Sequence, residues 1–179
     1  MIRLARLLPL AVLGMTLGSE LPAQTRLPAE AIAQLRPFVG RWDVEQVLRR
    51  PGGRADTTYL ESVIEFSADS STLIVRESTR DGRFHFVGYH AYDSTSRRFI
   101  NWGADSYQTL GWAKGRADRT GIRFDGAVRF LTTGDTLAYH GHWRPTDPNQ
   151  HVYEATGVDP ANLGQMLKRD VYTRKPGTR

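Results

Sequence analysis

The chain predicts an all-β fold: a closed or nearly closed antiparallel up-and-down barrel of about nine or ten strands, with a short helix at its N-terminal end. Three observations predict it. Turn-forming clusters recur along the chain at Pro51-Gly52-Gly53, Ala68-Asp69-Ser70, Asp81-Gly82, Asp93-Ser94, Gly103-Ala104-Asp105, Asp118 to Gly121, Gly134-Asp135, Pro145 to Asn149 and Asp159 to Gly164. Short strands at such regular spacing are the signature of a sandwich or barrel. Between the turns, polarity alternates: Ile122, Phe124, Gly126, Val128 and Phe130 stand against Arg123, Asp125, Ala127, Arg129 and Leu131. Successive strand side chains point to opposite faces, so the first set faces inward. Finally, this many strands create edges that must be dealt with, and closure removes them.

The elements follow in order. Arg3 and Arg6 followed by the uncharged apolar run Leu7 to Leu17 read as an export leader. Cleavage after Leu21-Pro22-Ala23 leaves a single domain over residues 24–179, although Leu21 is bulkier than the small residue such sites favour. The expected address is the periplasm or the extracellular medium. No later run reaches the ~20 residues that span a membrane. Pro28-Ala29-Glu30 opens a helix, with proline tolerated in its first turn and Glu30 near the positive end of the dipole. Ile32 and Leu35 then share an apolar face able to cover a barrel end. Trp42, Val44 and Leu48 line the first strand, Leu60, Ile64 and Phe66 the second, and Leu137, Tyr139, Gly141 and Trp143 a late one. In the strand between, Phe84, Phe86, Gly88, His90 and Tyr92 are placed inside in preference to His85, Val87 and Tyr89.

Composition narrows the classes. Twenty-four Lys and Arg against 19 Asp and Glu give a net charge of +5, and removing the leader leaves 22 against 18. The basic residues are dispersed, with only pairs such as Arg49-Arg50 and Arg97-Arg98, so no phosphate-tracking stripe exists and nucleic acid is excluded as the expected partner. The chain has no cysteine, hence no disulfide framework and no lipid-anchoring N-terminal cysteine.

Three segments together, Phe38-Val39-Gly40-Arg41-Trp42, then Gly88-Tyr89-His90-Ala91-Tyr92-Asp93 through Phe99-Ile100-Asn101-Trp102, and finally Val171-Tyr172-Thr173-Arg174, resemble domain-of-unknown-function family 1579. Its members look like lipocalin-type (calycin) barrels. The resemblance implies that fold and a binding cavity, and brings no activity, cofactor or catalytic residue. It also implies a closed end where the Gly-x-Trp tryptophan lies under a C-terminal arginine. Here Gly40, Trp42 and Arg174 match, with Arg169 as the substitute arginine, and a guanidinium stacked on indole contributes ~0.5 to 2 kcal/mol.

Candidate chemistry is sparse. His140 and His142 share one strand face and His151 follows the next turn, but the spacing matches no established zinc pattern and the pair belongs to the polar face of its strand, so no metal is expected. His90 is the inward candidate for axial haem ligation. No attachment sequence accompanies it, and an ordinary hydrogen-bonded histidine is the simpler reading. Glu61 and Glu65 lie opposite Leu60, Ile64 and Phe66, which makes them solvent-facing partners of arginines; with Glu77 they do not by spacing alone form a hydrolytic carboxylate pair. There is no serine elbow, phosphate-binding glycine loop or cysteine nucleophile.

What remains is an aromatic set that either fills the barrel or walls a cavity. For a cavity, His90, Tyr92, Asn101, Trp102 and Tyr139 are the ligand-binding candidates, each a polar tip beside apolar surface suited to an apolar or amphipathic molecule. The expected function is binding such a molecule without a cofactor and without altering it. Two alternatives stay open: a hydrolase or isomerase using the cavity, and a filled barrel acting as an interaction module, a homodimer included.

Overall fold

The computed structural model describes residues 26–49, 52–53, 55–158 and 165–177. The leader expected at residues 1–23 and the turn at Asp159 to Gly164 lie outside them. A helix, α1 (Ala29–Leu35), runs into a single 3-10 turn at Arg36–Phe38. Ten strands follow: β1 (Gly40–Arg49), β2 (Ala55–Phe66), β3 (Leu73–Thr79), β4 (His85–Asp93), β5 (Arg98–Asp105), β6 (Thr109–Ala117), β7 (Ile122–Phe130), β8 (Thr136–Asp147), β9 (Gln150–Val158) and β10 (Gln165–Arg174). Each pairs antiparallel with the next, and β10 returns to β1, closing the barrel. The expected up-and-down barrel with one short N-terminal helix is what the chain forms.

The turns have a common chemistry. In six of them an aspartate, at 69, 81, 93, 105, 118 and 147, accepts the backbone N–H two residues on at 2.7–3.1 Å. These are Asx turns, in which the carboxylate imitates a backbone acceptor and reverses the chain. The five from Asp69 to Asp118 recur about every twelve residues, which fixes strand length and so the height of the barrel.

Alternation holds around the wall. Phe124 is 3% exposed and Ile122 1%, while Arg123 and Asp125 between them are exposed. In β4 the buried residues are Gly88 and His90, the register of Phe86, as expected. Large rings lie flat against the wall where the neighbouring strand offers glycine. A Cβ at Gly115 would stand 2.6 Å from the Phe124 ring, and one at Gly141 would stand 2.7 Å from the Tyr153 hydroxyl.

The helix plugs one end. Ala31 and Leu35, one turn apart, are fully buried and Ile32 is half-buried, so the buried stripe sits one residue from the expected Ile32 and Leu35 face. Leu27 N–H donates to Ser70 O at 3.0 Å, tying the helix start to the β2–β3 turn. Phe38 then stacks on Trp143 at 3.9 Å, and the Trp42 indole N–H donates to Phe38 O at 2.9 Å. Arg174 pairs with Trp42 across β1 and β10, its guanidinium 4.1 Å from the indole centroid and donating to Val39 O at 3.1 Å and Pro148 O at 3.2 Å. Gly40, at φ 147°, presses against that guanidinium, where a Cβ would collide. Arg169 points outward instead, to Glu154 at 3.3 Å.

Candidate functional site

The interior divides by depth. Near the helix it is packed with stacked rings. His151 accepts from Trp143 Nε1–H at 3.0 Å and lies between Trp42 at 4.3 Å and Tyr172 at 4.1 Å. His90 stacks on Trp143 at 5.0 Å, and Asn101 Nδ2 lies 3.1–3.2 Å from its two ring nitrogens. Burial holds both imidazoles neutral, lowering His90 to about 4 and, with Arg174 nearby, His151 to about 2.

Towards the mouth the inward positions change character. Parity in β10 turns Tyr172, Asp170 and Lys168 inward together with Arg174, and parity in β3 turns Glu77 inward with Leu73 and Val75. Tyr172 Oη–H donates to Glu77 Oε1 at 2.7 Å, and Lys168 Nζ pairs with Asp170 Oδ2 at 3.0 Å while standing 5.7 Å from the Tyr153 ring centroid. Asp170 is 1% exposed and Ser62 1%, yet apart from that ion pair neither Asp170 oxygen has a well-formed hydrogen bond, and neither does Ser62 Oγ or His151 Nε2. Burial pushes the Glu77 and Asp170 carboxyls up against the opposing pull of Lys168. Burial also works against the Lys168 charge, but Asp170 and Glu77 outweigh it and hold the ammonium above its ordinary value. The phenols of Tyr139, Tyr153 and Tyr172 are raised by burial and remain donors. Two carboxyls face one cation here, so burial favours keeping one of the two protonated.

The expected ligand residues are not brought together. His90 and Asn101 face inward but belong to the packed half. Tyr92 also faces inward, yet it sits at the closed end, 5.1 Å from Phe99, with its hydroxyl 3.4 Å from Glu30 Oε1. It lines a surface depression of about 390 Å³ beside α1 and not a barrel cavity. Trp102 is a correction: it follows inward Asn101 by one residue, so it must face out, and it is 40% exposed, stacked on Tyr89 at 5.5 Å. Only Tyr139 stands in the half-open section, beside Tyr153. A second depression of about 780 Å³ lies over β1 and β2, with Asp43, Glu45, Tyr59 and Thr173 among its lining.

Other candidates separate likewise. His140 points out to Asp125 at 2.6 Å and His142 to Thr120 at 3.2 Å, whereas His151 is fully buried, so the three histidines do not meet. Among the described residues no group of three or more His, Cys, Asp or Glu is arranged to hold a metal ion. Asn101 lies against both nitrogens of His90, and Trp143 covers a ring face, leaving His90 no open position for an axial ligand's iron. Glu61 is outside, paired with Lys175 at 2.9 Å and Arg80 at 3.4 Å, and Glu65 pairs with Arg76. Glu77, by contrast, is inside. Sequence reading missed Lys168, Asp170 and Ser62; counting back by twos from Arg174 would have turned the first two inward.

No protein-family model and no curated protein matches the chain. Among solved structures it is similar to Rv2717c from M. tuberculosis, at 17% identity and a TM-score of 0.63, over 83% of this chain and 99% of that one. It is also similar to the S-type phycobiliprotein lyase CPES from Guillardia theta, at 11% identity and a TM-score of 0.53, over 86% of this chain and 96% of that one. At such identities the likeness concerns the fold alone, and the fold this chain shows is a closed antiparallel β-barrel.

Proposed function

We propose that this protein is exported and binds one small apolar or amphipathic molecule through the mouth of its barrel, without altering it. One observation carries the reading. Inward side chains in the half near the helix are sealed, with Trp42, Phe99 and Ile122 each 1% exposed, while inward residues towards the mouth, Leu48, Thr58, Phe86, Val128 and Met166, are only half-buried and the Lys168 side chain is 34% exposed. Solvent therefore reaches into the upper barrel, where rings flattened on glycine leave an apolar wall above a polar floor. Export rests on Arg3, Arg6 and the Leu7 to Leu17 run, and membership of domain-of-unknown-function family 1579 rests on the three segments quoted above.

The test is intrinsic fluorescence. Trp102 and Trp112 are exposed on the outer face, so a Trp102→Phe, Trp112→Phe protein reports from Trp42 and Trp143 inside. Saturable quenching by one member of a lipid and aromatic panel is expected; the absence of any saturable response across the panel overturns the reading. Secretion of the chain from its host, with an N-terminus starting at Gln24, checks the leader.

A second reading, catalysis in the same half of the barrel, is favoured by Glu77. A carboxyl whose pKa is raised by burial and which accepts from Tyr172 resembles a poised general acid. Chemical change of the bound molecule, lost in Glu77→Gln, would select it over binding alone.

A further inference from the structure

The floor of the barrel carries a charge arrangement that simple apolar binding does not need. We infer that the ligand is a cationic amphiphile, and that its ammonium head seats between Glu77 and Asp170 with its apolar body extending towards the mouth. The inference rests on the binding reading above and gives it a ligand class.

Four observations carry it. First, two buried carboxyls, 6% and 1% exposed, face a single ammonium, so the site is one cation short of neutralising both. Second, the acceptors are incompletely used: apart from the Lys168 ion pair neither oxygen of the almost wholly buried Asp170 has a well-formed hydrogen bond, its other polar neighbour being the Gln46 side chain, and the Ser62 hydroxyl faces Glu77 without a well-formed one. Orphaned buried acceptors are costly, and a donor-rich head group relieves them. Third, Lys168 is itself a primary amine in this place. Its Nζ holds Asp170 at 3.0 Å and lies 5.7 Å from the Tyr153 centroid, so an ammonium between carboxylate and phenol ring is already accommodated. Its side chain is a third exposed and long enough to swing towards the mouth. Fourth, the wall above is apolar on Leu48, Phe86, Val128 and Met166. An anionic head would instead meet two carboxyls, with the one ammonium beside them already paired to Asp170.

Binding then carries a proton balance. Glu77 is faced by Tyr172, Asp170 and Lys168 from β10, Ser62 from β2, Tyr153 from β9 and Phe86 from β4, and Gln46 of β1 stands opposite Asp170. In the free protein burial, and for Glu77 the neighbouring Asp170, favour a proton on one of the two carboxyls. When R–NH3⁺ enters, the carboxyl O–H bond of the pair breaks, both groups become carboxylates, and one proton leaves to solvent.

The experiment compares dodecylamine, dodecanol and dodecanoate, below their micellar range, on the Trp102→Phe, Trp112→Phe protein by fluorescence and calorimetry. Dodecylamine is expected to bind about tenfold or more tighter than dodecanol, with dodecanoate weakest. Calorimetry at about pH 6 in phosphate and in MES should return close to one proton released per amine bound. Glu77→Gln and Asp170→Asn should each cut the amine preference by about tenfold while leaving dodecanol within about twofold. Lys168→Met, which removes the competing ammonium, should raise amine affinity. If Asp170→Asn does not fold, Glu77→Gln, isosteric and still able to accept from Tyr172, carries the test alone. Equal affinity for amine and alcohol, or tighter binding of the carboxylate, overturns the head-group inference and leaves the binding reading standing. Failure of all three to bind overturns both.

Discussion

The two halves of the barrel interior are built from the same alternating strands but solve burial in opposite ways. Near the helix, polar groups are absorbed into ring stacks: Arg174 over Trp42, Trp42 against His151, His151 on Tyr172, and Phe38 and His90 both on Trp143. Towards the mouth, Glu77, Asp170 and Lys168 are an ionisable group in which one ammonium serves two carboxyls and the hydrogen bonding is incomplete. Aromatic stacking is a stabilising arrangement by itself, whereas a buried ion group is weak support for a fold unless something completes it. The comparison assigns stability to the closed half and ligand recognition to the open one.

The largest effect expected is in the closed half. Trp42→Ala removes a fully buried indole, its hydrogen bond to Phe38 O and the seat of Arg174, and should cost about 3–5 kcal/mol in urea denaturation at neutral pH. Glu77→Gln in the open half should change stability by no more than about 1 kcal/mol, because it exchanges a costly buried acid for a neutral amide of the same shape. If the order is reversed, the division of labour between the halves is wrong.

Next in size is the response to pH, which has opposite sign in the two halves. His90 is held neutral, lowered to about 4 by burial, while in the unfolded chain it titrates near 6.5. Between these values the unfolded chain binds a proton that the folded one refuses, so stability falls as pH falls, by about 3 kcal/mol from His90 alone on reaching its folded pKa. His151 acts in the same direction. Glu77 and Asp170 are raised, so from the ordinary carboxylate range upward the folded chain keeps protons that the unfolded one has lost, and stability falls as pH rises through their folded values. Unfolding free energies followed from about pH 4 to 8 should show a shallower acid limb in His90→Leu, with His151 supplying what remains, and flatten on the alkaline side in Glu77→Gln. Parallel curves for the two variants would erase the distinction.

A smaller change sharpens the closed half. Arg174→Met keeps an apolar stem over Trp42 but loses the guanidinium contact and its bonds to the Val39 and Pro148 carbonyls, for about 1–2 kcal/mol. A mid-point in thermal unfolding equal to wild type would show that the indole is held by packing alone.

Much of the closed half was legible in the sequence because its signals are local. Gly40-Arg41-Trp42, the twelve-residue rhythm of aspartate turns and the Ile122 to Phe130 alternation each specify geometry without reference to distant residues, and Arg174 was reached only through the resemblance. The open half was not legible, since its function depends on register between strands far apart: Glu77 meets Tyr172 across 95 residues. Charged residues at 77, 168 and 170 also read as solvent-facing by ordinary burial preference, which a half-open barrel overrides. Parity was the available signal. Applied to β10 from Arg174 it reaches Asp170 and Lys168, and applied to β5 it separates Asn101 from Trp102.

That last separation gives the smallest expected effect and the sharpest check on parity. Asn101 and Trp102 are neighbours in β5, and by size alone the tryptophan should matter more. Trp102, however, lies on the outer face between Tyr89 and its cross-strand partner Trp112, so Trp102→Ser should cost less than about 1 kcal/mol and leave ligand affinity unchanged. Asn101→Ala, a much smaller deletion, strips His90 of its only side-chain hydrogen-bond partner among the described residues and should cost more, about 1–3 kcal/mol. Denaturation of the two variants side by side reads the inversion directly; a larger loss at Trp102 would mean that the outer face, with its exposed indoles, contributes to the fold what the interior is here taken to supply.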